Sequence, residues 1–175
     1  MLFWKHGYDA TSVSLLTKAM GIGAPSLYAA FGDKRALFKE ALEHYMTTYG
    51  AFTVRAFQDE SDPRAAIGRL LLEAAAAFTS AGHPPGCMII TAATNCAPES
   101  AAVEKYLRTI RTHTVHALEE KIASGPRGSP AADSARTLAL FFSATLQGMS
   151  AQARDGASRE ELEAVARAAL RAWPR

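Results

Sequence analysis

The chain has 175 residues, of which 49% are hydrophobic and 21% are charged, and its formal net charge is +2. This length suits one domain or a small module joined to a larger one, and the composition excludes wholesale disorder and requires no disulfide or metal staple. Alanine accounts for 36 residues, whereas valine and isoleucine together account for 11. Because alanine favours helices and β-branched residues favour strands, the composition predicts an all-α fold.

The N-terminal part of the chain predicts two short helices joined by a tight turn. Ser12 is a candidate N-cap for a helix over residues 13–19, and a turn follows over residues 21–23. A second helix is expected over residues 24–31, with Pro25 in its first turn, where a missing N–H does no harm. Two short helices around a glycine-containing turn are typical of a helix-turn-helix, in which the second helix enters the major groove of DNA. A plain helical hairpin would give the same bare pattern.

The second predicted helix has an apolar face and a face of mostly small side chains. Leu27 and Phe31 are one turn apart and can pack against the apolar residues before them, which are Val13, Leu16, Met20 and Ile22. The opposite face, here called the small-residue face, consists of Ala24, Pro25, Ser26, Tyr28 and Ala29. Hydroxyl groups there can bond base edges or phosphates, and small apolar surfaces can touch a thymine methyl group. With two flanking residues, the candidate DNA contacts are Ser12, Ala24, Pro25, Ser26, Tyr28, Ala29 and Lys34.

Helical patterns continue to the C-terminus between boundaries marked by proline and glycine. Further helices are expected over residues 34–49, 63–80, 86–97, 99–123, 130–149 and 158–173. Ser158 and Glu161 have the spacing of a capping box at the start of the last helix. Apolar runs are far shorter than the roughly 20 residues of a spanning helix, and no signal peptide is evident. We therefore expect a cytoplasmic protein without a membrane partner.

The predicted helix over residues 130–149 is apolar on two sides. Its second apolar side contains Leu140, Phe141, Ala144 and Gly148. Such a helix must be covered on both sides, either as the central helix of a monomer or by a second chain. The small residues Ala144 and Gly148 would let another helix approach closely, which favours a homodimer with Phe141, Ala144 and Gly148 in its interface.

Longer segments of the N-terminal region add a family resemblance. The segments are Gly7-Tyr8-Asp9-Ala10-Thr11-Ser12, Gly21-Ile22, and residues 26–38 with Leu27-Tyr28, Phe31 and Lys34 in register. In this order and spacing they resemble the DNA-binding domain of TetR-family transcriptional regulators, over roughly the first 45 residues. Residues 85–99 also resemble the regulatory domain of one TetR subgroup.

The resemblance implies a repressor-like regulator that binds double-stranded operator DNA as a homodimer. Residues 1–46 would form the DNA-binding domain, with an incomplete first helix, and residues 47–175 would form the ligand-binding and dimerisation domain. Family members dimerise through their last two long helices, which adds Leu162, Val165 and Ala169 to the candidate interface. The competing class is a helical enzyme or carrier without DNA binding, although no catalytic motif is present.

Three features differ from the family pattern. Met1 is expected to lie inside the first helix, without the basic arm that usually precedes it and adds phosphate contacts. Gly23 stands where the family often has a capping serine. Ala24, Pro25 and Ala30 replace commoner lysine, small polar and aromatic residues, so the operator sequence does not follow by analogy.

The expected effector is an apolar or aromatic small molecule that enters between the helices over 63–80, 86–97 and 99–123. Its candidate contacts are Phe78, Met88, Thr91, Asn95 and Phe142. Asn95 could equally cap the turn at Pro98. No cofactor or metal is expected, because His113 and His116 lack a third ligand and metal spacing, and Cys87 and Cys96 are expected to be reduced thiols.

Overall fold

The computed structural model describes residues 1–92, 96–126 and 128–174, and within these ranges the chain is helical and contains no strand. The predicted all-α fold is confirmed. The N-terminal helices are α1 (Leu2–His6), α2 (Val13–Met20), α3 (Ala24–Phe31) and α4 (Lys34–Thr47). The remaining helices are α5 (Phe52–Asp59), α6 (Pro63–Phe78), α7 (Met88–Thr91), α8 (Ala101–Ala123), α9 (Pro130–Asp133), α10 (Ala135–Arg154) and α11 (Arg159–Ala169). Among the described residues, no helix combines the length and the apolar character needed to cross a bilayer.

Local capping explains where many of these helices begin. The side chains of Ser12, Asp33 and Asp62 accept hydrogen bonds from backbone N–H groups in the first turns of α2, α4 and α6. Ser158 and Glu161 form the predicted capping box at α11. Because each cap satisfies a backbone donor that the helix itself leaves unpaired, these starts are encoded locally.

Aromatic side chains join α1 to α4 and hold the N-terminal helices together. The ring of Phe3 meets the ring of Phe38 edge-on, with centroids 5.0 Å apart, and Trp4 meets Tyr45 in the same way at 4.8 Å. Between α1 and α2, buried Thr11 donates a hydrogen bond to the Gly7 carbonyl at 2.6 Å. These contacts fix the helix-turn-helix on α4, which runs on towards the second half of the chain.

The second half is a bundle in which α6, α8 and α10 contact one another. The helix α8 packs mainly on α10, and α6 is covered by α5, α10 and α11. Nine residues of α6 are buried, including Ile67, Leu70 and Leu71, and the helix predicted over residues 63–80 is confirmed over Pro63–Phe78. The short helix α7 contacts α1, α4, α8 and α10, and therefore lies where the N-terminal helices meet the bundle.

Several predicted elements differ from those observed. The helix α5 was not predicted, and the expected helix over residues 130–149 is divided at Ser134 into α9 and α10. Within the described residues, the expected helix over 86–97 is helical only over α7. Met20 and Ile22 are exposed rather than packed under Leu27, because α2 ends at Gly21 in a left-handed conformation that turns the chain away.

Candidate nucleic-acid interface and ligand cavity

The helix α3 is attached to the protein by one side. Leu27 is its only buried residue and is fully inaccessible, and Phe31 is half-buried. All five residues of the small-residue face are exposed. The side on which the sequence analysis placed the DNA contacts is therefore free, as insertion into a groove requires.

The two flanking candidate residues, Ser12 and Lys34, differ in how available their polar groups are for contact with DNA. Ser12 is exposed, and its hydroxyl oxygen accepts a hydrogen bond from the Leu15 N–H at 3.1 Å, so its proton remains available for a phosphate. The ammonium group of Lys34 lies 4.2 Å from the centre of the Tyr8 ring, and burial lowers the pKa of Lys34 from its ordinary value. Tyr8 therefore holds Lys34 against the protein at the start of α4.

Two hydrogen-bonded links tie the loop before α2 to the second half of the chain. The Tyr8 N–H donates to the carbonyl of Ala92 at 2.8 Å, directly after α7. The carboxylate of Asp9 accepts from the Ala97 N–H at 2.7 Å and from the Ser100 hydroxyl at 2.5 Å. The Ser100 hydrogen bond is the main cause that lowers the pKa of Asp9, followed by the Ala97 bond. A movement of α7 or of the start of α8 would thus be transmitted to the helix-turn-helix.

Replacing Asp9 with asparagine is expected to lower the free energy of unfolding by about 1 kcal/mol at neutral pH, since an exposed amide accepts these bonds less strongly than a carboxylate. A carboxylate whose folded pKa is depressed stabilises the protein above its ordinary pKa, and this contribution disappears as the pH falls through the folded value. The wild-type protein should therefore lose its advantage over Asp9→Asn in acid. Urea unfolding at neutral and acidic pH measures this difference. Asp155→Asn, at an exposed position, is the control, and an equal effect of the two substitutions would contradict the expectation.

A cavity of about 70 Å³ opens between α5, α6, α7, α8 and α10. Its wall is mostly apolar and includes Phe52, Phe78, Ile89, Ile90 and Leu146. Polar side chains also line it, namely Thr53, Arg111, Thr114, Ser143 and Gln147, together with the thiol of Cys87. A mainly apolar pocket with a few convergent polar groups is the usual form of a small-molecule site.

Cys87 connects the cavity wall to α4. The Tyr45 hydroxyl donates a hydrogen bond to the Cys87 sulfur at 3.2 Å, and the Cys87 N–H donates to the Ser150 hydroxyl at 2.8 Å. Burial raises the pKa of the Cys87 thiol and that of the Tyr45 phenol. Both groups therefore keep their protons, and Cys87 and Cys96 are free thiols, as expected for reduced cysteines.

The predicted ligand contacts only partly coincide with the cavity wall. Phe78 lines the cavity, whereas Met88, Thr91 and Phe142 are not among its lining residues, and Asn95 lies outside the described residues. The ring of Phe142 instead stacks on Trp173, and the Thr91 hydroxyl turns back to the Cys87 carbonyl. Successive residues on a helix point in directions about 100° apart, so Ser143 faces the cavity where Phe142 does not. Arg111 also lines the cavity, and its charged side chain gave no sign in the sequence that it would face a mostly apolar space.

The predicted dimer contacts fall into two groups. Phe141, Ala144 and Gly148 are exposed on α10, and Leu140 beside them is 49% exposed. These four residues are called the α10 apolar face below. Val165 is half-buried on α11, but Leu162 and Ala169 are buried within the chain. Neither of these two side chains is therefore available to a second chain, because α11 turns them towards α6.

The chain is similar to characterised transcription regulators over nearly its whole length. A family model described as "Bacterial regulatory proteins, tetR family" matches residues 1–41. The HTH-type transcriptional repressor ComR of Escherichia coli (strain K12) is 35% identical over 99% of this chain and 84% of its own length. The chain belongs to the TetR family of transcriptional regulators.

Other members of the TetR family support this assignment. The repressor BdcR of E. coli (strain K12) is 34% identical over 95% of this chain and 80% of its own length. A solved structure of a cysteine mutant of the TetR family regulator CifR, complexed with 26-bp double-strand operator DNA, has a TM-score of 0.92 at 40% identity. The match covers 99% of this chain and 92% of the CifR chain. A putative TetR regulator from Rhodococcus sp. RHA1 has a TM-score of 0.64 at 33% identity, over 99% of this chain and 94% of that one. The chain is thus a regulator and not an enzyme, which removes the competing class of a helical enzyme.

Proposed function

We propose that this TetR-family protein represses transcription by binding a two-part operator as a homodimer, and that a small molecule in the cavity between α5, α6, α7, α8 and α10 releases it. The exposed small-residue face of α3 carries the proposal. It presents hydroxyl groups and small apolar surfaces, and Leu27 fastens the opposite side of the helix. Operator binding by the CifR variant at 40% identity supports the same role here.

Selection of a duplex from a random-sequence library tests the DNA-binding step. We expect the selected sequences to contain two related half-sites about 34 Å apart, or one helical turn, because each recognition helix of a dimer needs its own stretch of major groove. Fluorescence anisotropy should then give an affinity that falls steeply with salt concentration. Enrichment of no sequence, or of a single unrepeated half-site, would contradict the proposal.

The α10 apolar face is the proposed centre of the homodimer. It contains three apolar side chains that are exposed to solvent in the single chain, Leu140, Phe141 and Ala144, and it ends at Gly148. A Cβ atom at Gly148 would meet no atom within 4 Å, so the single chain itself does not require glycine there, and close approach of another helix would account for it. Exposed apolar patches of this kind commonly mark protein contacts.

Replacing Gly148 with arginine is expected to convert the dimer into a monomer. The single chain has room for the side chain, and arginine favours a helix by nearly 1 kcal/mol relative to glycine. In the dimer, the same side chain would push two helices apart and bury a charge. Sedimentation velocity measures the change, and operator affinity should fall with it. Ala123→Arg, at an exposed position at the end of α8, is the control. A dimeric Gly148→Arg protein would place the interface elsewhere.

The proposed release mechanism uses the position of α7. Ile89 and Ile90, on α7, form part of the cavity wall. The carbonyl of Ala92, directly after α7, accepts a hydrogen bond from the Tyr8 N–H. A ligand that displaces α7 would therefore move the helix-turn-helix and change the distance between the two recognition helices of the dimer. Such a ligand acts only if it binds the released state more tightly than the DNA-bound state.

A further inference from the structure

We propose that the cavity selects a small monocarboxylate with an apolar chain, whose carboxylate group binds Arg111 and Ser143. This inference rests on the proposed regulatory function, and it adds a carboxylate group to the apolar or aromatic effector expected from the sequence. The juxtaposition that carries it is a half-buried guanidinium group beside a cavity whose other walls are largely apolar.

Arg111 has unused hydrogen-bonding capacity. Its Nη1 donates to the Ile89 carbonyl at 3.0 Å, whereas a guanidinium group carries five N–H donors. Within the described residues, no carboxylate lies within 4.0 Å of it, although the neighbouring arginine on α8, Arg108, pairs with Glu104 at 3.4 Å. Burial lowers the pKa of Arg111, although the charge of Glu104 acts in the opposite direction. Charges withdrawn from water are normally paired, so a bound anion would be a suitable partner for the half-buried guanidinium group.

Ser143, on α10, offers a second donor in the wall of the same cavity. Its side chain is nearly inaccessible, at 7% exposure, and its oxygen accepts a hydrogen bond from the Gln147 amide at 3.4 Å. Among the described residues, its hydroxyl proton has no acceptor that could compete with a ligand oxygen. One oxygen of a carboxylate could thus accept from Arg111 and the other from Ser143.

The size and the lining of the cavity narrow the class of anion. At about 70 Å³ the cavity is small, so only a small ligand enters without rearrangement. A single cation balances a single negative charge, which favours a carboxylate over a doubly charged phosphate. The planar fork of arginine also matches the geometry of a carboxylate. Phe52, Phe78 and Leu146 would then enclose the apolar chain.

The same contact explains how an anion would act on α7. The guanidinium group of Arg111, which would bind the ligand, also donates a hydrogen bond to the Ile89 carbonyl. A carboxylate is a stronger acceptor than a carbonyl, so it would draw Arg111 away from α7. The carbonyl of Ala92, directly after α7, accepts a hydrogen bond from the Tyr8 N–H. A shift of α7 caused by this exchange would therefore move the DNA-binding helices.

Calorimetric titration of the 175-residue protein with propionate and butyrate, each compared with its neutral amide, tests the proposal. We expect at least one acid to bind about tenfold or more tightly than its amide, the difference that a charge-assisted hydrogen bond provides. Arg111→Met should abolish this preference, and Arg111→Lys should retain part of it. Arg108→Met, which removes an exposed arginine from the same helix, should behave like the wild-type protein. Thermal unfolding of each variant verifies that it is folded.

Equal binding of acids and amides, or an unchanged preference in Arg111→Met, would overturn the proposal. So would failure of every acid to bind. Operator release, measured by anisotropy with the same acids, is a separate result. If the protein binds no operator but the acids still bind through Arg111, the carboxylate site stands and the proposed regulatory function fails.

Discussion

Replacing Ala29 with glutamate is expected to weaken operator binding by about 100-fold or more while leaving the stability of the protein nearly unchanged. Ala29 is exposed in the middle of α3, and glutamate is a good helix former, so the fold should tolerate the substitution. At the DNA surface, however, a carboxylate would lie close to phosphates and would be desolvated without a partner. Together, these two effects should reduce the free energy of DNA binding by about 3 kcal/mol, in the range of a lost base contact plus charge repulsion.

The matched control is Ala123→Glu, which makes the same change of charge at an exposed alanine near the far end of α8. Both variants lower the net charge equally, so a general electrostatic effect would weaken DNA binding in both. We expect anisotropy titrations with the selected duplex to show the large loss only in Ala29→Glu. Similar affinities for the two variants would mean that the small-residue face does not contact DNA.

Replacing Phe142 with alanine is expected to reduce the free energy of unfolding by about 3 to 5 kcal/mol, the usual range for a large buried aromatic side chain. Phe142 is fully inaccessible, and its ring lies 6.3 Å from that of Trp173 and 5.2 Å from that of Phe141, measured between centroids. The cavity left behind would lie between α10 and the C-terminal residues, where helices on both sides limit collapse.

Val54→Ala provides the comparison, because Val54 is 54% exposed on α5 and its truncation should change stability by less than about 0.5 kcal/mol. Both variants should be unfolded by urea at one protein concentration, since the proposed dimer would make apparent stability depend on concentration. A loss in Phe142→Ala no greater than that in Val54→Ala would contradict the packing described here. Because Phe142 does not line the cavity, carboxylate binding by the folded variant should be retained.

The helix-turn-helix could be predicted because its signals are local. Ser12 and Asp33 cap the helices that follow them, Gly21 takes the left-handed conformation that ends α2, and Pro25 occupies the first turn of α3. Each of these residues acts on backbone groups within a few positions of itself. The exposed face of α3 followed from the same local argument, because a short helix fastened by Leu27 leaves its opposite side free.

The helix α5 could not be predicted, because it begins without such a signal. Its N-cap position, Ala51, has a helical backbone and no capping side chain, and Gly50 precedes it. Burial of Phe52 and Ala56 against α6 stabilises this helix, and that contact exists only in the folded chain. The cavity wall that α5 contributes was missed for the same reason.

The sequence by itself therefore determined the helical class, the capped helices and the family, since alanine content, capping residues and motif spacing act over short stretches of chain. Only the tertiary structure decided which apolar residues line a cavity, remain exposed or lie in the core. Phe142 and Ser143 are neighbours in the sequence, yet one packs on Trp173 and the other lines the cavity. Leu162 fits the pattern of an interface but is buried against the chain itself. These assignments depend on which other helices pack against each face of a helix. The spacing of apolar residues shows only that a face is covered, and it does not show which element covers it.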